Sequence, residues 1–154
     1  MKFIADRTLG KLAKKLRVLG FDVLYWGGGN LEGAIKVAAA EGRVLLTRSR
    51  RIQDHAESLQ VLLLERNDPW EQLREVLSKF KLQPKAGQFF TRCLMCNKIL
   101  VPIPKEEVEG RVPDFIHKTY DSFHSCPQCQ RIYWPGTHFQ KMKKEFEKDC
   151  LPSL

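Results

Sequence analysis

Two sets of residues in this 154-residue chain have the types and spacing to do chemistry. The first is four cysteines in two C-x-x-C pairs, Cys93-Leu94-Met95-Cys96 and Cys126-Pro127-Gln128-Cys129, with 29 residues between them. Two such knuckles supply the four thiolates that close a tetrahedral shell, so the spacing predicts a structural zinc site on Cys93, Cys96, Cys126 and Cys129. A lone C-x-x-C is also a redox pattern, and two together favour zinc. Disulfides fit poorly in a chain that reads as cytosolic. Cys150 is left over as a free thiol near the end of the last helix. His124 and His138 read as residues beside the site or on the surface, because four sulfurs already fill it.

The second set is carboxylates, Asp6, Glu32, Asp54 and Glu65, interleaved with Lys11, Lys14, Lys15, Arg48, Arg50 and Arg51. Carboxylates gathered in one crevice hold magnesium or manganese through oxygen ligands. Such a metal generates hydroxide and stabilises a phosphoryl transition state, while Lys and Arg hold a polyanion by its phosphates. Each residue also has a plainer reading. Asp6 suits a helix N-terminus, where the macrodipole favours an acid. Glu32 suits an exposed first turn, and the basic residues suit solvated faces. Spacing alone favours these plainer roles for the acids.

The elements that must position these residues alternate. Residues 2–5 form a short apolar strand. Residues 8–19 carry Leu9, Leu12, Ala13, Leu16 and Leu19 at amphipathic-helix spacing, with Thr8 as the cap and Gly20 at the left-handed end. Residues 22–25 read as a second strand, Gly27 to Gly29 as a flexible loop, and residues 31–41 as a second helix. The three glycines carry no phosphate-binding fingerprint. Residues 43–47 form a third strand, residues 52–58 a short helix and residues 61–64 a fourth strand. Asp68, Pro69 and Glu71 then open a third long helix as cap, first residue and capping-box acid. Its buried face is expected to be Trp70, Leu73, Leu77 and Phe80.

Strands alternating with helices predict a parallel sheet covered on both faces, which is why the strands are continuous apolar runs. In such sheets function gathers beyond the carboxyl ends of the strands. That rule singles out Asp6, the triple glycine, Arg48 with Ser49, and Glu65. Arg48, Arg50 and Arg51 gain weight there because they follow a strand.

The chain carries 26 Lys and Arg against 18 Asp and Glu, a net +8. Residues 1–92 hold +7 of that excess and residues 93–154 hold +1, while all five cysteines lie at or after Cys93. Two compositions predict two modules: an α/β domain over 1–82, a linker over 83–92, and a zinc ribbon with a C-terminal helix over 93–154. Four thiolates and one zinc would bring the ribbon to about −1, which leaves the first module to face an acidic partner, nucleic acid first. Tyr133 and Trp134 could stack bases, and packing of the ribbon against the main domain is the favoured reading. No apolar run approaches the ~18 residues of a membrane span. The charged opening residues lack a secretory pattern, so a cytoplasmic protein is expected.

The residues also carry a family resemblance. Asp6, the run Leu9-Gly10-Lys11-Leu12-Ala13, Leu16-Arg17, Leu19-Gly20-Phe21-Asp22 and Gly42-Arg43-Val44-Leu45-Leu46-Thr47-Arg48 resemble the RNase domain at the C-terminus of Mut-seven proteins. So do Arg92-Cys93 to Asn97, Arg111-Val112-Pro113, both cysteine pairs and the run from Ile132 to His138. The resemblance covers nearly the whole chain. It implies a PIN-like nuclease domain fused to a zinc ribbon, acting as a metal-dependent endoribonuclease. On it, Asp6 matches the first acid, Thr8 the small polar residue two places on, and Glu32 the acid at the start of the second helix. Ser49 stands where the family pattern usually has Asp, and Asp54 or Glu65 would have to compensate. The implied site is Asp6, Glu32 and Asp54 for catalysis with magnesium or manganese. Thr8, Lys11, Lys14, Lys15, Arg48, Ser49, Arg50 and Arg51 would hold RNA. The competing class is a non-catalytic RNA-binding or adaptor protein that has lost the metal site. A zinc-stabilised interaction module with no RNA role would leave the basic first module unexplained.

Overall fold

A computed structural model of the chain describes the backbone of residues 1–55 and 59–149 and the side chains of residues 1–52 and 59–148. The chain divides into two compact units, Met1–Phe90 and Thr91–Leu154. Residues 83–90 fall with the first unit, through a 3-10 turn at Ala86–Gln88 and a bond from Phe90 N to Val18 O.

The first unit is built on four parallel strands, β1 (Lys2–Asp6), β2 (Asp22–Trp26), β3 (Val44–Thr47) and β4 (Val61–Leu63), in the order β2-β1-β3-β4. Three helices connect or follow them, α1 (Gly10–Val18), α2 (Leu31–Glu41) and α3 (Pro69–Lys79). Ile4, Leu45, Ala34, Ala38 and Ile52 form a buried cluster on the α2 side, joined by Leu24 and Trp26. The alternate residues Phe3 and Val23 point the other way, toward the side where α1 packs on α3. There Phe3 meets Phe21 and Phe80 edge-on at 6.1 and 5.8 Å. Because β2 and β3 flank β1 on opposite sides, the strand order reverses at β1. That reversal makes a topological switch point whose crevice opens between the carboxyl ends of β1 and β3.

The expected α/β alternation is the observed one, with local differences that have physical causes. The first helix does not start on a Thr8 cap. Asp6 caps a 3-10 turn over Arg7–Leu9, Thr8 N donates to it, and α1 follows from Gly10. Gly20 does end α1 with φ +92°, and a Cβ there would lie 2.4 Å from the Gln88 carbonyl oxygen. The short helix after β3 is a 3-10 turn, Arg50–His55, and residues 56–58 lie outside the described residues. Asp68 caps α3 through Trp70 N at 3.4 Å. The Glu71 carboxylate stands 3.8 Å from Arg66. The buried face of α3 is Gln72, Leu73, Val76 and Leu77, with Trp70 and Phe80 half-buried. Gln72 can be buried because its amide donates to Arg66 O at 2.6 Å.

At the amino edge of the sheet, buried Arg43 donates to Phe3 O at 3.1 Å and to Asp22 Oδ1 at 2.8 Å. It joins the starts of β1, β2 and β3 and is structural. Arg43→Ala would leave Asp22 and the Phe3 carbonyl facing a cavity. It is expected to cost about 3 kcal/mol of stability, read as a lower urea midpoint.

The second unit holds three short antiparallel strands, β5 (Val101–Ile103), β6 (Phe123–Ser125) and β7 (Ile132–Tyr133), in that order. Two small helices, α4 (Lys105–Val108) and α5 (Asp114–Thr119), fill the insertion between β5 and β6, and α6 (Thr137–Asp149) closes the chain. Val108, Val112 and Phe123 form its apolar cluster. Among the described residues, no helix is long and apolar enough to cross a membrane.

Candidate functional site

The switch-point crevice is spanned by one carboxylate. Asp6 ends the central strand and is 9% exposed. Its Oδ1 accepts from Thr8 N at 2.9 Å and from the Thr8 hydroxyl at 2.6 Å. Its Oδ2 accepts from the Thr47 hydroxyl at 2.5 Å and from Arg48 N at 3.2 Å. Thr47 in turn accepts from Ser49 N at 3.0 Å. The acid at the end of β1 therefore ties its own turn to the end of β3. Thr47, fully buried and 41 positions away in sequence, is the site residue that sequence reading missed. Its only signal was a polar residue closing an otherwise apolar strand.

Four donors use all the lone-pair directions a carboxylate offers. A cation at Asp6 would compete with these donors for the same oxygens. Among the described residues, no buried side-chain nitrogen or oxygen lacks a partner, so no orphaned acceptor marks a metal position here. Glu32 is exposed in the first turn of α2, behind the Asn30 cap. Among the described residues, Asp6 and Glu32 belong to no group of three or more metal-ligating side chains within 4.8 Å. The side chain of Asp54 lies outside the described residues.

The basic candidates differ in how free they are. Lys11, Lys14, Arg48, Arg50 and Arg51 are exposed, and Ser49 is half-buried. The Arg48 guanidinium bonds the Asn67 side chain. Arg50 stands 3.9 Å from Glu65, with both side chains open to solvent. Lys15 places its ammonium 3.7 Å from the centre of the Trp70 ring, a cation–π contact that commits it to α3. Glu65 instead lines an open cleft of about 610 Å³ beside β4, with Leu63, Arg66, Glu71, Arg74 and Glu75. Two of the three glycines lie against aromatic rings, while a Cβ on Gly28 would meet nothing within 4 Å. A Cβ on Gly27 would lie 2.7 Å from the Tyr25 ring, and one on Gly29 would lie 2.1 Å from the Trp26 indole nitrogen.

In the second unit the four cysteine sulfurs lie within 4.8 Å of one another. The knuckles match each other locally. Cys93 N bonds Lys98 O and Asn97 N bonds Cys93 O, as Cys126 N bonds Arg131 O and Gln130 N bonds Cys126 O. Asn97 and Gln130 both take left-handed backbones, at φ 67° and 65°, to close these turns. Cys93 and Cys129 stand 3.7 Å apart. That is too far for a disulfide and close to the roughly 3.8 Å edge of a tetrahedron with 2.3 Å metal–sulfur bonds. The donor set fits zinc.

The sulfurs also feel one another. The Arg131 backbone N–H pulls the Cys129 thiol down to about 6. Burial, then bonds to its sulfur neighbours, push the Cys96 thiol up to about 12. The Tyr133 hydroxyl lies 3.1 Å from Cys93 Sγ and accepts from Leu94 N at 3.2 Å. Burial raises its own ionisation above the ordinary tyrosine range. Tyr133 packs on the cysteines and Trp134 beside Val108, Val112 and Phe123, so both aromatics serve the interior of this unit. His124 lies in β6 and His138 is exposed, and neither joins the sulfur cluster. Cys150 lies outside the described residues.

A family model described as the Mut7-C RNAse domain matches residues 1–146. The chain belongs to this family. No curated protein and no solved structure matches it significantly. One family match spans both modules and suggests a ribonuclease-like role for the chain.

Two outcomes check this geometry. Asp6→Asn replaces one acceptor oxygen by an NH2 donor facing two of the four donors, and is expected to cost about 2 kcal/mol of stability, the worth of charge-assisted bonds, read by urea unfolding. Metal bound at the four cysteines is expected to leave as pH falls, because protons compete for the thiolates. A colorimetric chelator should find it retained at pH 7.5 and released toward pH 5, sooner in Tyr133→Phe.

Proposed function

We propose that this Mut7-C RNAse domain is a metal-dependent endoribonuclease of the PIN-like class, cutting RNA at the crevice between the ends of β1 and β3. The observation that carries this reading is Asp6 spanning that crevice in a chain of an RNase family, with Arg48, Ser49, Arg50 and Arg51 leaving β3 at the same edge. Asp6, Glu32 and Asp54 would hold magnesium or manganese, which when bound would supply a hydroxide and stabilise the charge developing on the phosphoryl oxygens. The chain's own residues bind and orient. Exposed Arg50, Arg51, Lys11 and Lys14 attract phosphates without regard to sequence. Arg48 is steadied by Asn67, and the Thr8 and Thr47 hydroxyls fix the Asp6 carboxylate.

The second unit would hold one structural zinc on Cys93, Cys96, Cys126 and Cys129. Four sulfurs leave no open position for chemistry, so the metal stabilises the fold. Reduced, clustered thiols suit a reducing compartment and support a cytoplasmic setting.

A second reading has its own observation. The Asp6 oxygens are fully engaged, and Ser49 offers a neutral hydroxyl where the family pattern usually has Asp. Both favour an RNA-binding or adaptor protein whose cleavage site has decayed. A manganese-dependent assay on single-stranded and structured RNA separates the two. Slow cleavage by the wild type, abolished in Asp6→Asn and faster in Ser49→Asp at low manganese, supports the nuclease. Cleavage seen only in Ser49→Asp supports the decayed site. RNA binding that is absent, or indifferent to salt, sinks both. Metal analysis should return about one zinc per chain, and a Cys96→Ser protein that melts like the wild type would refute a structural zinc.

A further inference from the structure

From the setting of Tyr25 we infer that its ring is a stacking platform for a nucleobase of single-stranded RNA beside the Asp6 crevice. The inference deepens the RNA reading above and rests on it. Tyr25 lies on β2, an edge strand, in register with Ala5, one residue before Trp26 pairs with Asp6. Its sheet-face neighbour Val23 is fully buried, yet Tyr25 is 39% exposed.

An exposed tyrosine is ordinarily mobile, and this one is held on three sides. Its hydroxyl donates to Arg7 O at 2.7 Å. A Cβ on Gly10 would come within 2.9 Å of Cε1, and one on Gly27 within 2.7 Å of Cε2. The two glycines thus approach the two carbons that flank the hydroxyl-bearing carbon, where any side chain would collide. Trp26 has a different use: its indole bonds Asn30 O and packs with the α2 cluster. Tyr25 spends a hydrogen bond and two glycines on fixing a ring that the core does not bury.

A fixed, flat and accessible ring suits a partner with a π-face. Base–aromatic stacking is tolerant of sequence, and a ring already in place loses little entropy on binding. The surroundings favour a polyanion. Arg7, whose carbonyl anchors the ring, and Lys11, which follows Gly10, are both exposed cations. A strand whose phosphates follow these cations would set one base on Tyr25 while the next phosphate lies toward Asp6. A duplex, whose bases are already stacked, gains nothing from the ring.

The test is equilibrium binding of fluorescein-labelled oligoadenylate and of an RNA duplex to the full chain across a salt series. Tyr25→Leu is expected to weaken oligoadenylate binding about 10-fold, to leave the salt slope unchanged, and to leave duplex binding unchanged. Tyr25→Phe keeps the ring and should stay close to the wild type. Tyr25→Met replaces the Leu variant if that protein melts early. An unchanged oligoadenylate affinity, or an equal loss on single strand and duplex, overturns the platform while RNA binding stands. A wild-type protein that binds neither RNA overturns both.

Discussion

The first unit depends on how one carboxylate is shared between two strands. Parallel strands end side by side without a hairpin, so their carboxyl ends carry no direct covalent link. Asp6 provides the connection from the central strand, accepting from the Thr8 turn with one oxygen and from Thr47 and Arg48 with the other. A nearly buried charge is costly unless every lone pair is used, and here every one is. The same bonds fix the start of α1 and the exit of β3, and so set the floor of the crevice. This creates a tension: the group best placed to hold a catalytic cation is already fully employed in holding the fold.

The basic excess divides in a similar way between architecture and exposed surface. Arg17 reaches the Val23 carbonyl and Arg43 ties three strands at the amino edge, so both are buried structural cations. Lys15 lies over Trp70. Exposed cations that follow β1, β3 and β4 include Arg7, Lys11, Arg48, Arg50, Arg51 and Arg66. The net +8 therefore overstates the charge available to a partner.

The second unit faces the problem of all small domains. Its strands are two or three residues long and its buried apolar clusters are few. A core of that size does not offset the entropy of ordering the chain, and natural solutions add a metal or disulfides. The matched knuckles, with left-handed Asn97 and Gln130, bring four sulfurs to one point, and Tyr133 covers one of them. That arrangement accounts for the use of Tyr133 inside the unit.

The amino-acid sequence by itself determined the two-module composition, the cysteine quartet and the order of strands and helices. The composition, the cysteine quartet and the order of elements are legible because hydrophobic period, turn residues and C-x-x-C spacing are local patterns; where function lies is not among them. Only the tertiary structure decided what each polar residue does there. Thr8 donates to Asp6 instead of capping a helix, and Thr47 meets Asp6 across 41 positions. Gln72 is buried because Arg66 offers a carbonyl. Gly27 and Gly29 make room for the Tyr25 and Trp26 rings. Such partnerships depend on which atoms long-range strand pairing brings within 3 Å. A periodic pattern specifies which face a residue occupies, and carries no information about the atom that will meet it.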